Sequence, residues 1–216
     1  MFILSSSEFV FFDVANTLLG KRGQYDAIQS AIRRHFGKNI HIDSIIRNHT
    51  LLSELSDFPN ETSREFYIKF NNKLLEMCGL PQSDVAAQEI FTVVREIPWQ
   101  PFDDVTTLAH SKLPLGIISN WDETLVGKLS RMVPVRFHPV IGSQEIGFKK
   151  PDPRIFETAL EIARIPADQA VYVGDSPKLD TVPARRLGIR AILLDRNRVY
   201  ADYPYEKVAS LRELRW

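Results

Sequence analysis

Cysteine occurs once in the 216 residues, as Cys78, so no disulfide can form within the chain. In its setting, LLEMCGLP, the thiol reads as a small core group. Neither sign of charge is in excess, with 27 Lys and Arg against 27 Asp and Glu. That balance excludes a global field that would draw the protein to nucleic acid or to an anionic membrane, and any anion site must be local. Long apolar runs are missing too, which excludes a membrane-spanning helix. The opening MFILSSSEF has no positive segment and too short an apolar stretch for a secretion signal, so a cytoplasmic location is expected. The five histidines show no spacing suited to zinc. What is present, 44% apolar and 25% charged residues, is the composition of a folded globular chain and not of a disordered one.

The pattern of those residues changes twice along the chain. From Gln24 to Ile97 apolar positions recur at helical spacing. One helix is expected from Gln24 to Phe36, stopping at Gly37, and a second from an N-cap at Asp43 to about Leu55. A third opens with Thr62 and Glu65 at capping-box spacing and carries Phe66, Phe70, Leu74 and Met77 on one face; a fourth starts at Ser83. Beyond IPWQPF, short apolar runs alternate with helices: LPLGIISN, HPVIGS, AVYVGD and AILLD. Such alternation predicts a parallel sheet with crossover helices, to which the early EFVFFD belongs. The expected architecture is α/β: a Rossmann-like parallel-sheet core of residues 1–17 and 98–216, interrupted by a four-helix insertion, residues 18–97. Linkers are expected near Thr17 to Gly23 and Pro98 to Pro101.

In an open parallel sheet, ligands collect beyond the carboxyl ends of the strands, where loops surround a crevice. Asp13 ends FVFF, Ser119 and Asn120 end LGII, and Asp175 ends VYVG with Asp180 five residues on. If the strands are parallel, these side chains share one rim. Lys149 and Lys150, in GFKKPDP, bring positive charge within reach. Singly, each has a structural explanation. Ser119 and Asn120 suit a turn, Asp180 a helix N-terminus and Lys149 a solvated surface, while Asp152 before Pro153 is an N-cap and takes no catalytic role.

Together and in this order, the segments resemble the haloacid dehalogenase-like hydrolase superfamily. FVFFDVANT matches its first motif, an apolar strand then Asp-x-Asp-x-Thr, with Asp13 at the nucleophile and Thr17 in place. IISN matches the second at Ser119, KKPDPRIF the third at Lys150, and VGDSPKLD the fourth at Asp175 and Asp180. The helical insertion falls where the family carries a cap that closes over the site. The resemblance implies a phosphatase for small phosphate esters in which Asp13 forms an aspartyl-phosphate. It implies Mg²⁺ held by Asp13, Asp175 and the Ala15 backbone carbonyl, with Asp180 in the inner or outer shell. Ser119, the backbone at Asn120 and Thr17 would bind the phosphoryl oxygens, and Lys150 would pair with nucleophile and phosphoryl charge. The implied partner is a small phosphorylated molecule, with neither nucleic acid nor membrane.

At one position the chain departs from the family. Ala15 stands where the phosphatases carry the acid that protonates the leaving group and then activates water. Loss of such help costs ~10²–10⁴-fold in rate. Three readings stay open: a slow phosphatase or one with an acid from elsewhere, a dehalogenase- or phosphonatase-type hydrolase, and a Mg²⁺- or phosphate-binding protein with little catalysis.

Overall fold

In the computed structural model, residues 2–3, 9–58 and 63–215 are described. From the N-terminus, β1 (Phe2–Ile3), β2 (Phe9–Phe12) and β3 (Leu19–Gly20) precede a long helical stretch. After it come β4 (Gln100–Pro101), β5 (Leu115–Ser119), β6 (Val140–Gly142), β7 (Ala170–Gly174), β8 (Arg190–Leu194), β9 (Lys207–Val208) and β10 (Leu214–Arg215). Six of these form one all-parallel sheet in the order β6-β5-β2-β7-β8-β9. All four residues of β2 are buried, and strands covered on both faces read as continuous apolar runs, as FVFF does. The order matters for function. β5 and β6 lie on one side of β2, and β7 to β9 on the other, so β2 is the switch point where such sheets open a crevice.

Between β3 and β4 the chain forms α1 (Gln24–Phe36), α2 (Ile42–Leu55), α3 (Arg64–Met77) and α4 (Asp84–Glu96). This stretch, Lys21–Trp99, is a compact unit of its own; Met1–Gly20 and Gln100–Trp216 make the other. Within the helical unit α1 packs on α2 and α4, and α3 packs on the same two. Ile28, Ile32, Ile45, Leu74, Leu75 and Ile90 fill its centre, with Cys78 packed at the edge as a core group. Two helix starts differ from expectation. The N-cap of α2 is His41, whose ring accepts the Asp43 amide, so Asp43 lies within the first turn. In α3 the cap is Ser63, accepting the Phe66 amide at 3.1 Å; Thr62, expected to open a capping box, lies outside the described residues.

The expected linkers are not free connections. Leu19 pairs with Pro101 and Gly20 with Gln100 in an antiparallel ribbon, and the Phe102 amide donates to the Leu18 carbonyl at 3.0 Å. Backbone groups that a linker would leave to solvent satisfy one another.

In the core unit, α5 (Leu125–Met132), α6 (Ser143–Ile146), α7 (Pro153–Ala163) and α8 (Val182–Arg186) provide the crossovers. Asp152 caps α7 by accepting the Arg154 amide, with Pro153 in the first turn. From α7, Ile155, Phe156 and Ala159 cover one sheet face, over Phe9, Phe11 and Tyr172. The strands β9, β1 and β10, two residues each, were too short to leave a period in the sequence. Among the described residues no helix is long and apolar enough to cross a membrane.

Candidate active site

Three adjacent strands end at one rim. Asp13 follows β2 and is still tied into the ladder, its amide donating to the Val173 carbonyl at 3.0 Å. Ser119 is the last residue of β5, and Asp175 follows the last residue of β7. Lys150 arrives from the loop before α7. Asp180 arrives from one turn of π-helix, Pro177–Thr181, that leads into α8.

Lys150 is at the centre of the contacts. Its ammonium donates to Asp13 Oδ1 at 2.6 Å, to Asp180 Oδ1 at 2.6 Å and to the Tyr172 hydroxyl at 3.0 Å. Those three bonds use all the protons a lysine has. Ser119 Oγ donates to Asp13 Oδ1 at 3.0 Å, and the Ser176 amide donates to Asp180 Oδ2 at 3.0 Å. Among the described residues Asp13 Oδ2 accepts no hydrogen bond, so one oxygen of that carboxylate is held and the other is available. Asp13, Lys150 and Asp180 are each at most 5% exposed, which makes mutual pairing obligatory.

Burial shapes the proton affinities. It would push the Lys150 ammonium down, but the charges of Asp13 and Asp180 outweigh it and hold the group above the ordinary lysine range. Burial raises the Asp180 carboxyl above the usual carboxylate range, against the pull of Lys150 and with a further push from Asp13. The Tyr172 phenol is lifted by burial first and by Asp180 and Asp13 next. It therefore stays protonated and donates to the Ile118 carbonyl at 2.8 Å, while Lys150 donates to its oxygen.

The acids also fit a cation. Asp13, Asp175 and Asp180 each offer an oxygen, all within 4.8 Å of one another. A donor set made only of carboxylate oxygen suits a hard divalent ion such as Mg²⁺ and not a soft one.

The remaining expected residues divide. The Asn120 side chain brackets the Lys150 backbone, its Oδ1 accepting the amide at 2.7 Å and its Nδ2 donating to the carbonyl at 3.0 Å. The Asn120 main chain and the second Nδ2 hydrogen are left for a ligand. Thr17 is fully buried, and its Oγ1 has no partner among the described residues, so it does not join the Asp13 cluster by hydrogen bond. Ala15 is partly exposed on the turn after Asp13 and carries no acid.

Two contributors escaped sequence reasoning. Tyr172 lies inside the apolar run AVYVG, and its only signal was a hydroxyl in a strand buried throughout. Gly174 leaves room that the Asp180 carboxylate fills, a role visible only once Asp180 folds back over the strand end.

A family model described as haloacid dehalogenase-like hydrolase matches residues 8–188. Haloacid dehalogenase-like hydrolase domain-containing protein 3 of Danio rerio is 36% identical over 125 residues, covering 54% of this chain and 52% of that protein. The match thus spans about half the length of that relative. Phosphoserine phosphatase of Thermus thermophilus is 32% identical over 157 residues, covering 67% of this chain and 61% of the other. Among solved structures, the putative HAD-hydrolase YfnB of Bacillus subtilis, bound to magnesium, aligns with a TM-score of 0.62 at 19% identity, covering 95% of this chain and 96% of that one.

Proposed function

The chain belongs to the haloacid dehalogenase-like hydrolases, and from that membership we propose that it is a Mg²⁺-dependent phosphatase for a small phosphate ester. The observation that carries the reading is the state of Asp13. Ser119 and Lys150 hold its Oδ1 while Oδ2 accepts no hydrogen bond from described residues, as a carboxylate nucleophile requires.

In the proposed reaction Asp13 attacks phosphorus, the P–O bond to the alcohol breaks, and water then hydrolyses the aspartyl-phosphate. Lys150 fixes the nucleophile and offsets its charge. Ser119, whose proton then turns from Asp13 to the substrate, and the Asn120 main-chain amide receive the phosphoryl oxygens, and the inserted helical unit serves as the cap that selects the alcohol. Asp13, Asp175, Asp180 and the Ala15 carbonyl would hold Mg²⁺, which when bound reduces the repulsion between an anionic ester and an anionic nucleophile.

Ala15 favours a second reading. With no acid there, leaving-group protonation and water activation lack their usual group, and the protein is a slow phosphatase or a Mg²⁺- and phosphate-binding protein. A screen of small phosphate esters with Mg²⁺, alongside a haloacid and a phosphonate, decides among these. Turnover of a phosphate ester is the expected result. Turnover of only the haloacid or the phosphonate would move the protein to those chemistries, and Mg²⁺ binding without any turnover would leave the binding protein. Calorimetry with Asp175→Asn tests the metal site directly, since native-like Mg²⁺ affinity in that variant contradicts it.

A further inference from the structure

Arg196, two residues past β8, reaches a part of the core far from it in sequence. Its guanidinium meets Asp104 fork on fork, Nη1 to Oδ2 at 2.7 Å and Nη2 to Oδ1 at 2.9 Å. Nη2 also donates to the Thr17 carbonyl at 2.7 Å, and Nε donates to the Asn16 carbonyl at 3.2 Å. The guanidinium carbon sits over the Phe102 ring, 4.0 Å from its centre. Asp104 is 3% exposed and is held from its other side by Ser210 Oγ at 2.8 Å and the Leu211 amide at 2.9 Å. Burial would lift its carboxyl, but Arg196 together with Ser210 and Leu211 keeps it below the usual range.

The two carbonyls that Arg196 binds belong to the turn carrying Ala15. Asn16 there has φ 57, a left-handed conformation that asparagine tolerates better than most residues. The turn satisfies its own amides: Asn16 donates to the Leu19 carbonyl at 2.7 Å, and Leu18 and Leu19 both donate to the Val14 carbonyl at 2.9 Å. The Asn16 and Thr17 carbonyls instead take their donors from Arg196. Peptide planes are rigid, so only the two backbone angles of Asn16 separate the Ala15 carbonyl from the one that Arg196 grips.

We propose that Arg196 is a positioning residue: by gripping the Asn16 and Thr17 carbonyls it sets the direction of the Ala15 carbonyl and thereby the affinity of the site for Mg²⁺. The metal half of this rests on the reading above, in which the Ala15 carbonyl is a ligand. Arg196 would then act on the ion as groups behind metal ligands do, through the ligand and not by contact.

The test uses the full chain with Arg196→Lys, which keeps a cation beside Asp104 but cannot serve a carboxylate fork and two carbonyls at once. Two readouts are taken: amide exchange at Asn16, Leu18 and Leu19 without metal, and Mg²⁺ affinity by calorimetry. Exchange of these amides is expected to quicken by roughly tenfold while sheet amides keep their rates. Mg²⁺ binding is expected to weaken by about tenfold or more. Ser210→Ala, which loosens Asp104 but leaves the Arg196 bonds to the turn intact, is expected to lower the melting temperature without either change. If Arg196→Lys does not fold, Phe102→Leu removes the ring under the guanidinium and carries the same readouts. Native exchange in the turn, native Mg²⁺ affinity despite faster exchange, or equal effects of Ser210→Ala would each overturn the proposal. A native protein with no Mg²⁺ affinity would instead refute the metal reading, while faster exchange in the variant would still uphold Arg196 as the anchor of the turn.

Discussion

The Asp180 carboxylate occupies the space that a β-carbon on Gly174 would need. Glycine at this strand end is required for room and not for an unusual backbone angle. The Asp180 carboxylate is also held in place, by Lys150 at Oδ1 and by the Ser176 amide at Oδ2.

Gly174→Ala should therefore displace Asp180 and break a buried ion pair along with it. Overpacking of this kind costs about 1–3 kcal/mol, and Mg²⁺ affinity should fall because a proposed ligand has moved. Thermal unfolding and calorimetry measure the two effects. Native behaviour in both would mean that the strand end yields easily and that Asp180 is not held as described.

Asp13→Asn should abolish phosphate-ester hydrolysis while leaving the fold intact. Beryllium fluoride, which mimics a phosphoryl group on a carboxylate, should bind the native protein and not the variant. Residual turnover in Asp13→Asn at the native rate would rule out the covalent route.

How far these residues could be found in advance depended on whether their signal was local. The strands were legible because burial on both faces writes an uninterrupted apolar run, and Asp13, Ser119 and Asp175 stood out as polar residues closing such runs. Lys150 and Asp180 were marked more weakly, by a loop charge and a spacing from Asp175, each with a structural explanation of its own until the family wording joined them. Arg196 and Asp104 had none, since their fork joins positions 92 residues apart. The same holds for the ribbon of β3 and β4, whose strands of two residues pair across the whole insertion. Helix caps were misplaced by two residues at α2, where His41 caps although aspartate is the stronger capping type, and by one at α3, where Ser63 caps; in both the backbone geometry decides and not the residue type.

Ala15→Asp converts the missing acid into a measurement. The native protein should release an activated phenolate faster than an alkyl alcohol, in a burst followed by slow turnover, because the second step also lacks a base. Restoring the carboxylate should raise steady-state turnover of alkyl esters by up to ~10²–10⁴-fold. A well-folded variant no faster than native on any phosphate ester would place the limit elsewhere.

His49 gives the helical unit a pH dependence of its own. It packs edge-on to Tyr25 at 5.5 Å and to Phe70 at 5.3 Å, and burial pushes it down from 6.5 to about 4. Above pH 6.5 the imidazole is neutral in both folded and unfolded chains. As pH falls from there towards 4, the unfolded chain takes up a proton that the folded one refuses, so stability declines across that window by up to roughly 3 kcal/mol. His49→Phe should remove this part of the acid sensitivity, as read from denaturant unfolding at pH 7 and pH 5. An unchanged difference between the two pH values would assign the sensitivity to other groups.

The pairing of Leu19 with Pro101 and of Gly20 with Gln100 brings the two ends of the insertion side by side. Seen from the sheet, everything from Lys21 to Trp99 is one hairpin loop, however much it contains. Loop length adds little to closure entropy, each doubling costing only about 0.6 kcal/mol, so the core is nearly indifferent to what is spliced there. A different module with adjacent termini could be grafted at the same two strands while Asp13, Lys150 and Asp180 stay as they are.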